Sequence, residues 1–275
     1  MIPVIFIHTG QIQEYVLCTI KQALKNNSVY LLGDVKLDLN ENNFKFHNIN
    51  ELKTDYDEFE INYEHLNTTP IDYEKFCYKR WFILKQYMNL NNINLCFYVD
   101  SDVVLMNNIT EDWINYSQYE MTLLHRSAAV SSYITYESIC KFCDMLMSVY
   151  SDKNSYYFKK IKAHYLVRNQ CGLDGGVCDM TLLELFHYTQ EFGGGPGRIG
   201  EMMQIINDCT YDHNINVSDQ DFSMKHNIKN VKIRNNQAYV FNERLKKDIK
   251  FNSLHFQGQA KTHIPYFVDV LNRNL

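Results

Sequence analysis

The segment from Leu95 to Leu105 constrains the fold more than any other part of the sequence. It is an apolar run that ends in Asp100-Ser101-Asp102 and continues at once into a second apolar run. A short, continuous apolar run of this kind predicts a buried strand. Open α/β sheets bind their ligands just outside the carboxyl ends of strands. Two carboxylates released at such an end stand where a bound cation and a phosphorylated ligand would meet.

The spacing of the two aspartates is not specific by itself, because Asp55-Tyr56-Asp57 and Asp219-Gln220-Asp221 share it. Only the pair at 100 and 102 ends a long apolar strand. Two close, uncompensated carboxylates are costly without a cation. The context therefore favours a metal site at Asp100 and Asp102, with a solvated strand end as the alternative.

Composition narrows the class of protein. A chain of 275 residues with 45% hydrophobic residues can bury one large core, and we expect a single α/β domain over residues 1–275. The net charge of −5 gives no general attraction to nucleic acid or anionic membranes. No window approaches the ~20 apolar residues that cross a bilayer, and scattered cysteines are typical of reduced thiols. These features predict a cytoplasmic protein with no membrane span and no nucleic-acid partner.

Apolar periodicity predicts alternating strands and helices. Residues 2–8 and 29–32 are expected to form parallel strands joined by a helix over 12–24. A helix is expected to start near Asp72, with that side chain as its cap, and to end before Asn91. The further expected elements are strands over 44–49 and 119–125 and helices over 133–150 and 179–188, with residues 36–69 otherwise irregular.

A second informative segment lies near the C-terminus, from Leu254 to Lys261. It contains a metal-competent imidazole at His255, a backbone opening at Gly258 and a cation at Lys261. A diphosphate with a bound cation requires these parts. Taken alone, His255 could equally be a buried strand histidine, and Lys261 an ordinary surface lysine.

Together with the two aspartates, this segment resembles the H-x-x-G-x-x-K signature of glycosyltransferase family 8, which includes glycogenin and bacterial lipopolysaccharide galactosyltransferases. In the family's order along the chain, residues 100–102 resemble its D-x-D motif, residues 173–177 its F-N-x-G-V segment and residues 218–221 its D-Q-D segment. Two departures are visible. Thr262-His263 replaces the usual Pro-Trp, and Asp174 stands where the family normally has Asn.

The resemblance implies a GT-A fold with a mixed, mostly parallel sheet flanked by helices. Residues 1–105 would form the nucleotide-binding half that ends in the D-x-D motif, and residues 106–275 the half for the donor sugar and the acceptor. It also implies metal-dependent transfer of a sugar from a nucleoside diphosphate sugar, expected to be a UDP-sugar. The acceptor would be a glycan, a lipid or a protein, and retention of configuration is expected.

Roles for individual residues follow from the resemblance and from their positions. Asp100, Asp102 and His255 are the expected metal ligands, and this mixed oxygen and nitrogen set suits Mn²⁺ best, with Mg²⁺ possible. Asp219, Gln220 and Asp174 are the expected catalytic residues near the anomeric carbon. The expected donor-binding residues are His8, Thr9, Tyr15, Arg80, Ser101, Gly176, Gly258 and Lys261, of which Arg80 is placed to reach the diphosphate or an acidic partner.

Three other functions fit parts of this pattern. In a phosphohydrolase of the haloacid dehalogenase type, Asp100 would attack phosphorus and Asp102 would act as acid and base, but this motif normally opens the chain. A sugar nucleotidyltransferase would need a G-x-G-T-R opening, which the sequence lacks. A catalytically inactive scaffold that binds a nucleotide sugar is the third alternative.

Overall fold

The computed structural model describes residues 1–273, which form fourteen strands and eight α-helices. The strands are β1 (Val4–His8), β2 (Val29–Gly33), β3 (Phe44–Asn48), β4 (Leu95–Val99), β5 (Val103–Leu105), β6 (Met121–Leu123), β7 (Ser131–Thr135), β8 (Ile199–Glu201), β9 (Cys209–Tyr211), β10 (Met224–Lys225), β11 (Ile228–Lys229), β12 (Val231–Arg234), β13 (Gln237–Asn242) and β14 (Lys247–His255). The helices are α1 (Glu14–Leu24), α2 (Tyr56–Asn62), α3 (Ile71–Leu90), α4 (Ile109–Asp112), α5 (Tyr136–Ser151), α6 (Tyr156–Gln170), α7 (Asp179–Tyr188) and α8 (Ile264–Arg273).

The central layer is a seven-stranded sheet in the order β3-β2-β1-β4-β7-β6-β8. The first four of these strands are mutually parallel. Strand β7 runs antiparallel to both of its neighbours, and β8 is parallel to β6. The structure therefore confirms the predicted α/β class with a mixed, mostly parallel sheet.

Helices cover both faces of this sheet. On one face, α3, α5 and α7 bury Trp81, Phe142 and Phe186 in one apolar cluster. On the other face, α1 buries Val16 and Ile20. The sheet lies between these two layers of helices, and the carboxyl ends of its parallel strands β1, β2 and β4 lie at one edge. This is the edge where an open α/β sheet binds ligands.

A second sheet, β12-β13-β14-β5, lies beside the first, and β9 pairs with β14. Strand β5 belongs to this second sheet, so the expected single strand over 95–105 is two strands joined by the turn at residues 100–102. In the antiparallel pairing of β14 with β5, His255 stands opposite Val103. This register places the His255 side chain beside the turn that carries both aspartates.

Most expected elements are present, and the exceptions have physical reasons. The expected helix over 133–150 is wrong at its start, because Ser131–Thr135 pairs with β4 as a buried strand before α5 begins. Helix α3 begins after Pro70, and Asp72 lies in its first turn without capping it. Helices α2, α4, α6 and α8 were not expected. Both α2 and β3 lie in the region expected to be largely irregular.

Three further observations concern the described residues. No helix among residues 1–273 has the length and apolarity needed to cross a membrane. All eight cysteines lie within the described residues and are free thiols. Strands from both 1–105 and 106–275 contribute to the seven-stranded sheet.

Candidate functional site

The turn between β4 and β5 presents Asp100 and Asp102 at the junction of the two sheets. The Asp100 amide donates to the Val130 carbonyl at 2.9 Å, and the Val103 amide donates to the Asp100 carbonyl at 3.1 Å. The Asp102 carbonyl accepts from the Phe256 amide at 3.0 Å. Backbone bonds to two other segments therefore hold this turn in place.

Asp102 lies between two cationic groups from the C-terminal motif. Its Oδ1 is 3.4 Å from His255 Nε2, and its Oδ2 is 3.4 Å from Lys261 Nζ. Burial alone would raise the pKa of Asp102, but the pairing with His255 and Lys261 outweighs burial and lowers it. The structure thus brings together three residues that the sequence places up to 159 positions apart, which is the separation of 102 and 261.

His255 is oriented by a hydrogen bond on the far side of its ring. Its Nδ1 lies 2.6 Å from the His213 carbonyl oxygen, to which it donates, and its Nε2 faces Asp102. This is the arrangement in which a second hydrogen bond sets the ring orientation of a metal-ligating histidine. Burial alone would lower the pKa of His255, but Asp102 raises it to about 8.

Asp100 is engaged on the opposite side of the turn. Its Oδ1 accepts hydrogen bonds from Arg80 Nη1 at 2.9 Å and from the Tyr98 hydroxyl at 2.6 Å. The Arg80 guanidinium also contacts Asp179 Oδ2 at 2.6 Å, and that carboxylate accepts from Trp81 Nε1 at 3.0 Å. Burial raises the pKa of Asp100, although the Arg80 charge opposes the shift. Of the two partners expected for Arg80, the structure shows the acidic one.

Asp179 was missed by the sequence analysis. It is 3% exposed, and its contacts hold Arg80 against the D-x-D turn. The available signal was an acidic residue at the first position of a correctly predicted helix, two residues after the 173–177 motif.

The structure changes the electrostatic argument for a metal. The two aspartates are not uncompensated, because Arg80 pairs with Asp100 while Lys261 and His255 pair with Asp102. As the side chains stand, no three or more His, Cys, Asp or Glu residues between 1 and 273 are grouped to hold a metal ion. A cation would have to displace the His255 proton and move the Lys261 ammonium.

The donor atoms at Asp102 and His255 still fit a divalent cation. Ligand atoms at adjacent corners of an octahedron with bonds of about 2.1 Å lie roughly 3.0 Å apart. His255 Nε2 and Asp102 Oδ1 are 3.4 Å apart, with the ring already aimed at the carboxylate. An imidazole nitrogen beside a carboxylate oxygen is a donor set that suits Mn²⁺. The expected third ligand, Asp100, would join the set only through a carboxylate oxygen not held by Arg80.

Several of the expected donor-binding residues lie at the same sheet edge. His8 ends β1, and its Nδ1 is 3.3 Å from the Ser101 hydroxyl. Thr9 follows in the half-buried turn, and Lys261 Nζ lies 5.3 Å from the centre of the Tyr15 ring. Strand β1, helix α1 and the D-x-D turn thus meet the C-terminal motif here.

Asp34 also belongs to this edge and was missed as a site residue. It follows β2 directly, and its Oδ1 accepts from the Gly10 amide at 2.8 Å. The signal was present in the sequence as a carboxylate immediately after a predicted strand.

Gly258 and Gly176 have different structural roles. Gly258 has a φ of +64°, and no atom lies within 4 Å of where a Cβ would stand. It therefore keeps open space beside Lys261. A Cβ on Gly176 would lie 2.3 Å from the Leu66 carbonyl oxygen, so this glycine is required for packing against the 66–67 backbone.

The expected catalytic residues are divided between two places. Asp174 is exposed in the turn before α7, and its carbonyl accepts from Arg168. Asp219 and Gln220 line a cleft of about 980 Å³. His125, one of the residues that line this cleft, has its ring centre 5.0 Å from that of His213, whose backbone carbonyl accepts from His255.

A buried lysine connects Asp219 to the histidine site. Lys229 has a fully buried side chain, with Nζ 2.8 Å from Asp212 Oδ1 and 2.9 Å from Asp219 Oδ1. The other oxygen of Asp212 accepts from the His255 amide at 3.1 Å. Within the described part of the chain, the buried Asp219 Oδ2 has no hydrogen-bond partner. Lys229 therefore positions one oxygen of Asp219, while the other is buried without a partner.

Comparisons with known proteins give only distant structural similarity. No family model and no curated protein sequence matches the chain. A glycosyltransferase involved in glycosylation of the major capsid of PBCV-1 is 9% identical, with a TM-score of 0.41, over 98% of this chain and 100% of its own. Apo mouse xyloside xylosyltransferase 1 is 9% identical, with a TM-score of 0.46, over 76% of this chain and 87% of its own. An active-site mutant of LgtC is 13% identical, with a TM-score of 0.38, over 64% of this chain and 72% of its own.

Similarity at these identities and TM-scores does not assign the chain to a family. The function is therefore inferred from the geometry of the site.

Proposed function

We propose that this protein is a glycosyltransferase that uses a UDP-sugar and a divalent cation, Mn²⁺ by preference, on a GT-A type of fold. One observation carries the proposal. Asp102, His255 and Lys261 converge at one edge of the sheet. The expected donor-binding residues His8 and Ser101 lie at the same edge. Asp102 and His255 can ligate a metal, Lys261 supplies a flexible positive charge, and Gly258 leaves open space for the backbone to approach a ligand. These groups suit a diphosphate better than any other ligand that the sequence suggests.

Sugar transfer from a nucleoside diphosphate sugar requires the protein to stabilise the leaving diphosphate. The bond between the anomeric carbon and the diphosphate oxygen breaks, and its electron pair stays on that oxygen. An acceptor hydroxyl oxygen forms the new bond and passes its proton to the leaving diphosphate. When bound, the cation supplies positive charge to the diphosphate. Lys261 adds a point charge there, and Gly258 lets the backbone approach.

The donor sugar would lie toward the cleft that contains Asp219 and Gln220. Asp219 lines this cleft, and its buried, unpartnered oxygen would gain a hydrogen bond from a sugar hydroxyl after a small side-chain movement that exposes it. The cleft is open enough for a second sugar. Retention of configuration remains a prediction from the motif resemblance.

The phosphohydrolase alternative has less support. In that chemistry Asp100 would be the nucleophile, yet its Oδ1 already accepts bonds from Arg80 and Tyr98. An inactive scaffold would not need Lys261 beside the candidate metal ligands.

We expect UDP to stabilise the protein only when Mn²⁺ is present, since diphosphate and carboxylates repel one another without a cation. A ligand at about 100 times its dissociation constant stabilises by about 2.7 kcal/mol. The stabilisation is measured by thermal denaturation in four conditions: UDP alone, Mn²⁺ alone, both together, and both together with excess EDTA. GDP and CDP are the nucleotide controls, and p-nitrophenyl phosphate tests the phosphohydrolase.

Equal stabilisation by UDP in EDTA would contradict the metal dependence. Rapid hydrolysis of p-nitrophenyl phosphate that disappears in Asp100→Asn would contradict glycosyl transfer.

We also expect Mn²⁺ affinity to fall as the pH drops below about 8. The metal needs neutral His255, whose pKa in the metal-free protein is raised to about 8, so binding releases a proton. Affinity should fall roughly tenfold per pH unit below that value. The same raised pKa stabilises the metal-free fold at low pH, and this stabilisation is lost as the pH rises through about 8.

Titration calorimetry of Mn²⁺ between pH 6 and pH 8.5, in two buffers of different ionisation enthalpy, measures both affinity and proton release. His255→Gln is the control and should show weak binding with little pH dependence. A flat profile for the parent protein would contradict the role of His255 as a ligand.

A further inference from the structure

A groove lined by tyrosines lies next to the cleft that contains Asp219. We call it the tyrosine groove; it lies between α6 and α7, continues along residues 189–191, and has a volume of about 750 Å³. Tyr156 and Tyr157 come from α6, and Tyr188 ends α7. The residues that add polar groups to its lining include Lys160, Glu184 and Glu191.

The tyrosine groove and the cleft are adjacent. Glu184 and Tyr188 line both of them. A chain-like ligand that starts beside Asp219 and Gln220 would therefore pass over Tyr188 and continue along α6. The groove is thus an extension of the proposed reaction site.

The groove presents aromatic surface that the fold itself does not use. Tyr156 is 69% exposed and Tyr188 is 51% exposed. The rings of Tyr156 and Tyr157 stand at 76° to each other with centres 5.3 Å apart, so they offer surfaces of different orientation. Exposed aromatic surface rimmed by polar groups marks a binding site.

The polar groups of the groove suit a ligand rich in hydroxyls. Carboxylates accept hydrogen bonds, and Glu184 is exposed between the two spaces. Glu191 accepts from the Tyr157 hydroxyl, which orients that ring. Sugar rings combine apolar C–H faces with hydroxyl edges, and an aromatic ring beside a carboxylate complements both.

The turn at residues 125–126, where the cleft meets the tyrosine groove, is held in an uncommon conformation. His125 and Arg126 both have positive φ, 53° and 64°, which is strained for residues other than glycine. Glu201 accepts both of their amides at 3.1 Å. This turn places Arg126 Nη1 2.7 Å from the Tyr188 hydroxyl, so Tyr188 is held in position where the two spaces meet.

We propose that the tyrosine groove binds the non-reacting sugars of an oligosaccharide acceptor, whose terminal hydroxyl reaches the cleft beside Asp219. The assignment of the acceptor end rests on the proposed function. It narrows the expected acceptor from glycan, lipid or protein to an oligosaccharide of several units.

A glycan microarray probed with the Mn²⁺- and UDP-loaded protein tests the groove. Parent protein, Tyr156→Ala and Tyr188→Ala are compared with Tyr266→Ala, a control on α8 that removes a tyrosine of 73% exposure elsewhere. We expect the parent and the control to bind oligosaccharides, and each groove variant to lose about tenfold or more in affinity, as for a truncated aromatic anchor. Release of UDP from UDP-glucose to water should be unchanged in the control Tyr266→Ala.

Binding of no glycan by the parent, or equal binding by the groove variants, would overturn the inference. Failure of the proposed function looks different. In that case UDP and UDP-glucose would neither bind nor react, while any oligosaccharide binding that depends on Tyr156 would still support the groove.

Discussion

Asp102→Asn is expected to reduce sugar transfer by about a thousandfold or more. Removal of a single preorganised group that stabilises transition-state charge costs about a hundredfold to a thousandfold. Asp102 exceeds that range because it faces both His255 and Lys261, each at 3.4 Å. The substitution keeps the size of the side chain but removes the charge that orients the imidazole and the ammonium. Transfer from UDP-glucose, measured as released UDP, reports the loss.

Asp57→Asn is the matched control, since Asp57 is an exposed aspartate in one of the two other sequences with the D-x-D spacing, near the start of α2. It should leave activity unchanged. Circular dichroism and thermal denaturation should show that both variants fold. A near-normal rate in Asp102→Asn would mean that the aspartates at 100 and 102 are an ordinary strand end.

Lys229→Met is expected to destabilise the protein by about 3–5 kcal/mol, the cost of breaking a buried ion pair by removing one partner. Lys229 and Asp212 have fully buried side chains, and the Asp219 side chain is 8% exposed. Without the ammonium, two neighbouring carboxylates would lie buried and unpaired. Denaturant unfolding of the parent and the variant measures the difference.

Lys225→Met is the control, because Lys225 is an exposed lysine on the same hairpin; it should change stability by less than about 0.5 kcal/mol. Asp219→Asn in the Lys229→Met background should recover part of the loss by removing one unpaired charge. The loss should also shrink as the pH falls, since burial raises the pKa of Asp212 and protonation removes that unpaired charge. A Lys229→Met variant as stable as the parent would contradict the positioning role of Lys229.

Local sequence patterns predicted the regular elements where periodicity and end signals agree. Helix α7 was predicted with its observed bounds, and β1, α1 and β2 within a few residues. The helical periodicity predicted a helix from residue 133, but Ser131–Thr135 forms strand β7 and the helix begins at Tyr136. The pairing of β7 with β4 buries those strand residues in the sheet, and pairing between distant strands outweighs local propensity.

The sequence by itself determined the class of fold and the types of side chain at the strand ends. The motifs named Asp102, His255 and Lys261, and the structure brings them together. Tertiary structure alone decided the electrostatics. Arg80 reaches Asp179 across 99 positions of chain, and that arrangement neutralises Asp100 without a metal. Spacing along a chain cannot reveal such pairing, because Coulomb energy depends on distances in the folded protein and on burial.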